Sequence, residues 1–305
     1  MLKIYFAPLQ GYTEDAYRRL HHQIFGGVDG YFTPFVRLEH GQVRSKDLRD
    51  IRADFNAEVP VTPQVIARDG AELEQLLPYI TAQGYTAVDV NMGCPFPLQT
   101  KHGRGCGMLA HPEKVQEICE VIRQHPELTF SIKMRLGLED AEEWRKVMPY
   151  INNVQLKHVT LHPRVGTQQY KGTVDMEQFA AFMQECKHPV IYNGDITTLQ
   201  QIKDLEAQFP TLHGIMMGRG FLARPSLGIE YQTGTPWNDV QLIRSIKDLH
   251  NRLLAHYETV IPGESQRLQK IQTFWDYLEE TVGRKNWKAL RKAGNMKNYQ
   301  KALSF

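Results

Sequence analysis

Apolar and polar positions along the chain follow two successive rhythms. Short runs rich in β-branched and aromatic residues occur at Lys3–Ala7 (KIYFA), Gly30–Val36 (GYFTPFV), Pro60–Ala67 (PVTPQVIA) and Ala87–Gly93 (AVDVNMG). They recur at Phe130–Gly137 (FSIKMRLG), His158–Arg164 (HVTLHPR), Pro189–Ile196 (PVIYNGDI) and Gly214–Gly220 (GIMMGRG). Such runs predict strands. Between most of them lie helix-spaced segments, among them Ala71–Gly84 and His111–His125, the latter with Val115, Ile118, Val121 and Ile122 in helical register. After about Pro236 the rhythm turns purely helical, over Asp239–Val260, Ser265–Val282 and Arg284–Leu303. The pattern predicts two domains, residues 1–235 and 236–305, the second a small helical unit.

Eight strand–helix alternations within the first 235 residues match the rhythm of an α/β fold, the (β/α)8 TIM barrel. A doubly wound open sheet is the rival architecture. What favours the barrel is the placement of reactive side chains at the C-terminal ends of the runs. Gln10 follows the first, Gln64 lies in the third, Asn91 and Cys94 end the fourth, and Lys133 and Arg135 close the fifth. His162 and Arg164 close the sixth, Asn193 and Asp195 the seventh, and Arg219 the eighth. A barrel gathers those ends on one face, whereas an open sheet strings them along an edge.

Composition changes this picture little. Hydrophobic residues make up 42% and charged residues 23%, ordinary for a soluble globular protein. No apolar run is long enough for a membrane helix, and the N-terminal residues do not read as a signal peptide. Cys94, Cys106, Cys119 and Cys186 form no CxxC pair, which fits a reduced, cytoplasmic protein; a monomer without a metal site is expected. Cys119 and Cys186, on helical segments, read as buried packing residues.

Charge adds more. From Pro236 onward there are 12 Lys and Arg against 7 Asp and Glu, and Arg284–Phe305 holds 7 basic residues and no acidic one. A charge run alone reads as a solvated helix face. Beside a near-neutral barrel it also fits a polyanion contact confined to one wall.

The glycines flanking polar residues in YNGDI and MGRG suit a phosphate, which the last two βα loops of such barrels commonly hold, with Arg219 as its planar partner. Lys133 and Arg135 lie two apart, as do His162 and Arg164, so each pair shares one side of its strand. Cations aimed into a barrel mouth need anionic partners, which a flavin supplies through its phosphate and its electron-rich ring edge. Cys94 sits between Gly93 and Pro95 where a strand stops: a small packing residue at a turn, or a thiol held for chemistry. His102 is available as a base, but no protease-like signature accompanies it, and a neutral thiol giving up a proton suits a flavin site better. Cys106, between Gly105 and Gly107, reads as the small residue its loop requires.

Together these motifs resemble the tRNA-dihydrouridine synthases of bacterial type. The resemblance runs from APLQGYTED to GRGFLARP, with VDVNMGCP its most specific element and KMRLG, HPRVGTQQYKG, YNGDI and MGRG in support. Dihydroorotate dehydrogenases share the barrel and phosphate loops but differ around the cysteine. The resemblance implies FMN held by Pro8, Leu9, Gln10, Gln64, Lys133, His162, Asn193, Gly194, Asp195, Gly218 and Arg219. It implies hydride transfer from flavin N5 to uracil C6, protonation of C5 by Cys94 as general acid, and NADPH as electron donor. Asn91, Lys101, Arg135, Arg164 and the tail residues Lys285, Lys288, Arg291 and Lys292 are then the candidates for contact with tRNA. The chain departs from the family at Leu9–Gln10, where Met and a small or acidic residue are expected, and at Met176, where Trp is common. Two alternatives stand beside this reading: an FMN oxidoreductase of the same barrel class acting on a small-molecule pyrimidine, and an RNA-binding protein without turnover. The basic tail argues against the first, and the joint presence of Cys94, Lys133 and His162 against the second.

Overall fold

The computed structural model describes residues 1–305 and realises the alternation as a parallel barrel. Its strands are β1 (Lys3–Phe6), β2 (Gly30–Phe32), β3 in two pieces (Val61–Thr62 and Gln64–Val65), β4 (Ala87–Met92), β5 (Thr129–Gly137), β6 (Val159–Val165), β7 (Val190–Tyr192) and β8 (Gly214–Met217). Successive strands pair in parallel, and β8 returns to β1 with Lys3 opposite Gly214 and Phe6 opposite Met217. The ring closes through β3: Val61–Thr62 pairs with β2 and Gln64–Val65 with β4. Pro63 lies between the pieces and has no N–H to give a ladder. The expected strand Gly30–Val36 is likewise shorter than its pattern, because Pro34 interrupts it. Past the break, Val36 bridges Val65 and donates its N–H to the Gln64 carbonyl at 2.8 Å.

The surrounding helices include α1 (Asp15–Ile24), α2 (Gly70–Thr81), α3 (Pro112–Gln124), α4 (Glu143–Ile151), α5 (Met176–Glu185) and α6 (Leu199–Gln208). Several begin where a side chain satisfies a free N–H. Asp69 accepts from Glu72 at the start of α2, and Thr198 and Gln201 form a capping box at α6. Cys119 is buried in α3 as expected, whereas Cys186 is half-buried in extended backbone just past α5, since the helix ends at Glu185. Inside the barrel, Tyr5, Ala7, Phe32, Ile191 and Met216 form an apolar plug, so polar residues further along the strands face the mouth.

Beyond residue 236 come α7 (Asp239–Val260), capped by Asn238, then α8 (Glu264–Gln272), α9 (Arg284–Arg291) and α10 (Met296–Ala302). α7 packs on α1, and no helix is long and apolar enough to cross a membrane. The long helices expected over Ser265–Val282 and Arg284–Leu303 are each broken. After α8 the chain tightens into a 3-10 turn at Thr273–Trp275, and Gly294 separates α9 from α10. The breaks serve one buried hydrogen-bond chain. The Trp275 indole donates to the Tyr299 hydroxyl at 2.7 Å, and that hydroxyl meets His250 Nε2 at 2.6 Å. Burial holds His250 neutral, its pKa pushed down to about 4. Gln272 adds a cap, donating to the carbonyls of Leu290 and Ala293, and Asn295 starts α10 by accepting from Asn298.

Tyr299→Phe strands a buried indole N–H and a buried imidazole nitrogen. It is expected to cost about 1–3 kcal/mol. The check is a lower denaturant midpoint at unchanged slope; an unchanged midpoint refutes this role for the Tyr299 hydroxyl.

Candidate active site

The strand ends enclose a cleft of about 510 Å³. Pro8, Leu9 and Gln10 enter it after β1, Gln64 from β3, Asn91 and Cys94 from the end of β4, and Lys133 and Arg135 from β5. His162 comes from β6, Asn193, Gly194 and Asp195 follow β7, and Gly218 and Arg219 follow β8. The other residues singled out on sequence lie elsewhere. Arg164 is buried behind the wall, Lys101 is exposed on the turn beyond Cys94, and Lys285, Lys288, Arg291 and Lys292 belong to α9 and its end. Phe35, Tyr170 and Tyr277 also line the cleft and were not foreseen. Tyr277 comes from the helical tail, so the tail forms part of the wall. Tyr170 lies in an irregular loop with no periodicity to mark it.

The tail also grips the loop after β1. Lys270 donates to the Gly11 carbonyl at 3.0 Å and pairs with Glu14 at 2.9 Å, and the Tyr12 hydroxyl donates to Asp276 at 2.7 Å. Arg291 pairs with the same Asp276.

Cys94 is held from three sides. Asn91 Oδ1 accepts from the N–H groups of Gly93 and Cys94 at 3.0 and 2.8 Å. Arg135 donates to the Gly93 carbonyl at 3.1 Å and to the Val165 carbonyl at 2.9 Å. Cys106 donates both its N–H and its thiol to the Cys94 carbonyl, at 3.1 and 3.3 Å. The approach is so close that a Cβ on Gly105, which has φ +58°, would lie 2.4 Å from that carbonyl oxygen. Burial raises the Cys94 pKa, opposed by the Phe96 N–H and by Arg135, Lys133 and Arg37, so the group is a neutral thiol at neutral pH. Cys106 is buried and pushed up to about 12. His102, the sequence's candidate base, is exposed on the following turn.

Beneath Cys94 lies Asp89, fully buried on β4. Ser131 Oγ and Gln64 Nε2 donate to its two oxygens at 2.5 and 2.7 Å. Burial pushes its pKa up to about 6, against those two bonds and the nearby Lys133. Lys133 is brought down to about 8 by desolvation and by Arg135, with Asp89 and Cys94 opposing.

On the far side, Asp195 adopts φ +44° and joins two cations: Arg164 donates to it at 3.1 Å and Arg219 at 2.7 Å. Burial works against that carboxylate's charge, but the two guanidinium groups hold its pKa below the usual value. Arg164 also donates to His162 Nε2 at 3.1 Å, and burial among Arg135, Lys133, Arg164 and Arg219 holds His162 well below its ordinary pKa. The Tyr170 ring lies 4.5 Å from the Arg219 guanidinium and 5.6 Å from that of Arg135. Four cations therefore face two acids, Asp89 and Asp195, and the cleft favours an anionic guest.

The family model described as dihydrouridine synthase (Dus) matches residues 5–304. The chain is 28% identical over 248 residues to the tRNA-dihydrouridine(16) synthase of Neisseria meningitidis serogroup B, covering 78% of this chain and 74% of that protein. It is 22% identical over 258 residues to tRNA-dihydrouridine synthase B of Pasteurella multocida, covering 84% and 76%. Among solved structures, morphinone reductase in complex with tetrahydroNAD superposes with a TM-score of 0.55 at 11% identity, over 77% of this chain and 88% of that one, which is a likeness of fold. With the model matched almost from end to end, and with curated synthases aligned over most of their length, the chain belongs to the dihydrouridine synthase family.

Proposed function

We propose that this protein is an FMN- and NADPH-dependent tRNA-dihydrouridine synthase, reducing the C5=C6 bond of specific uridines in tRNA. The observation that carries the reading is a neutral thiol, Cys94, fixed at the edge of a cleft whose wall holds more cations than acids.

The residues present fit FMN. Gly194 leaves its loop tight, since a Cβ there would lie 2.9 Å from Val174 and 3.0 Å from the Tyr192 hydroxyl. Gly194 and Gly218 line the cleft beside Arg219, so in this reading their loops offer backbone N–H groups and a guanidinium to a phosphate. In this reading Pro8, Leu9, Gln10, Gln64, His162, Asn193, Asp195 and Gly218 hold the rest of the cofactor, with Lys133 at the ring edge that carries charge. When bound and reduced, FMN supplies the hydride for C6 of uracil. Cys94 gives its proton to C5 from the opposite face, which suits a thiol that stays protonated. Asn91 has spent Oδ1 on the turn and one N–H on Gln64, leaving one N–H for a uracil carbonyl. Arg135 retains N–H groups toward the cleft, whereas Arg164 is committed to Asp195, His162 and the Gly172 carbonyl and serves to brace the wall.

Residues 236–305 serve as the RNA-facing unit, since Tyr277 lines the mouth and Lys285, Lys288 and Lys292 are exposed nearby on α9 and its end. Arg291 is the exception, being tied to Asp276. Lys101, exposed on the turn beyond Cys94, is a separate candidate contact on that side of the mouth.

Replacing Cys94 by Ala is expected to leave FMN bound, identifiable by mass spectrometry, and reducible by NADPH. Single-turnover reoxidation of the reduced flavin by unmodified tRNA should fall by on the order of 10² to 10⁴. Cys106→Ala keeps the backbone bond to Cys94 and should reoxidise at nearly the wild-type rate. A fast Cys94→Ala enzyme sinks the assignment, and reoxidation by free uridine would favour the small-molecule alternative.

Lys133 sets a pH limit. Its folded pKa of about 8 lies below the ordinary 10.5, so above about 8 it loses the proton that attracts the flavin. FMN retention should therefore weaken as pH rises past that value, and Lys133→Met should abolish the dependence. The fold does not share this trend, because a depressed lysine pKa contributes stability as pH rises from about 8 to 10.5. FMN affinity that is flat across this range in the wild type would remove Lys133 from the flavin contacts.

Neutralising Lys285, Lys288 and Lys292 together should weaken tRNA binding. The slope of log affinity against log salt should flatten by about one unit per lost phosphate contact. Reduction by NADPH should be unchanged, and unaltered tRNA affinity across several salt concentrations would make α9 merely a solvated face.

A further inference from the structure

A carboxylate can accept hydrogen bonds but not donate them. Inside the barrel, Asp89 takes one from Ser131 and one from the Gln64 amide nitrogen. The Gln64 amide is thereby oriented, nitrogen toward Asp89 and Oε1 toward Asn91, whose Nδ2 donates to it at 2.7 Å. That bond in turn directs Asn91 Oδ1 away from Gln64, where it accepts from the N–H groups of Gly93 and Cys94. Reversing Gln64 would set its carbonyl against a carboxylate. Reversing Asn91 would set its NH2 group against two backbone donors. The chain is therefore held at both ends, by the acceptor-only carboxylate of Asp89 and by the donor-only N–H groups of Gly93 and Cys94, and Asp89 is the end that orients Gln64.

We propose that Asp89 is the positioning residue of this site, fixing through Gln64 and Asn91 both the turn that presents Cys94 and the amide N–H left over for the substrate. The proposal rests on the reading of Cys94 as proton donor. Asp89 itself lies under the cleft floor and touches neither reacting atom. Its influence passes through two neutral amides, and a neutral amide can be reversed at little cost in shape. A purely structural acid would lower stability when replaced and leave the reactivity of Cys94 alone. A positioning acid alters that reactivity in protein that is still folded.

The test uses the full-length protein with Asp89→Asn, which removes the acceptor-only end at constant shape, and Gln64→Met, which cuts the chain at its middle. Each is made alone and combined with Asn91→Ala. The first readout is the iodoacetamide alkylation rate at Cys94, followed by peptide mass spectrometry with buried Cys119 as internal reference. The second is single-turnover flavin reoxidation by tRNA. Each single variant is expected to change alkylation of Cys94 by more than about twofold and not to add to Asn91→Ala, as required of residues acting as one unit. Reoxidation should slow by on the order of 10- to 100-fold, the usual effect of slight misplacement of a reacting group. Alkylation within about twofold of wild type, or effects that add to Asn91→Ala, overturns the proposal. If Asp89→Asn does not fold, Gln64→Met supplies the test through the alkylation readout alone, with the same outcomes for and against, because Gln64 also lines the flavin cleft. Cys94→Ala run in parallel separates the two claims. If it turns over like wild type, the proton-donor reading has failed; if it is slow while Asp89→Asn and Gln64→Met are not, only the role of Asp89 has failed.

Discussion

Positive charge shut into the mouth of a barrel is the condition to which the rest of this structure answers. Lys133, Arg135 and Arg219 line the cleft, Arg164 lies buried just behind its wall, and removing a cation from water costs several kcal/mol unless it is compensated. Two acids meet that cost from opposite sides. Asp89 ionises from a fully buried position where its own pKa is raised, and Asp195 takes a left-handed backbone conformation to reach two arginines at once. His162, crowded by the same cations, stays neutral and accepts a hydrogen bond from one of them. The charge left uncompensated makes the cleft receptive to a phosphate and to a ring edge that gains negative charge.

Much of this was legible in the chain because the barrel converts one-dimensional position into convergence. A residue at the C-terminal end of a run lies at the mouth whatever its distance in sequence, which is why Gln64, Cys94, Lys133 and Arg219 share one cleft. Asp89 was missed although its signal was present: it lies two residues before Asn91 on the same inward face and is the one charged residue of its strand. The prolines at 34 and 63 were also visible, but that the ring closes around them depends on pairing with neighbours that no local pattern reveals.

The tail shows where periodicity misleads. Trp275 and Tyr299 occupy apolar positions that extend a helical pattern, yet each also carries a polar atom that needs a partner once buried. One hydroxyl, that of Tyr299, meets both the Trp275 indole and His250 across the breaks between these helices. A count of basic residues cannot separate Arg291, neutralised by Asp276, from Lys285 and Lys288, whose charges remain exposed.

The grip of the tail on the loop after β1 also bears on how the molecule is made. Tyr12 and Asp276 are 264 residues apart, among the longest-range contacts in the chain. During synthesis the loop carrying Leu9 and Gln10 emerges first and receives its last partners only when α8 and the turn after it have left the ribosome. The nascent barrel therefore spends most of translation with one side of its mouth unbraced. Maturation of the cleft is a closing event that couples the two ends of the chain, and it belongs to the slow, high-contact-order part of folding.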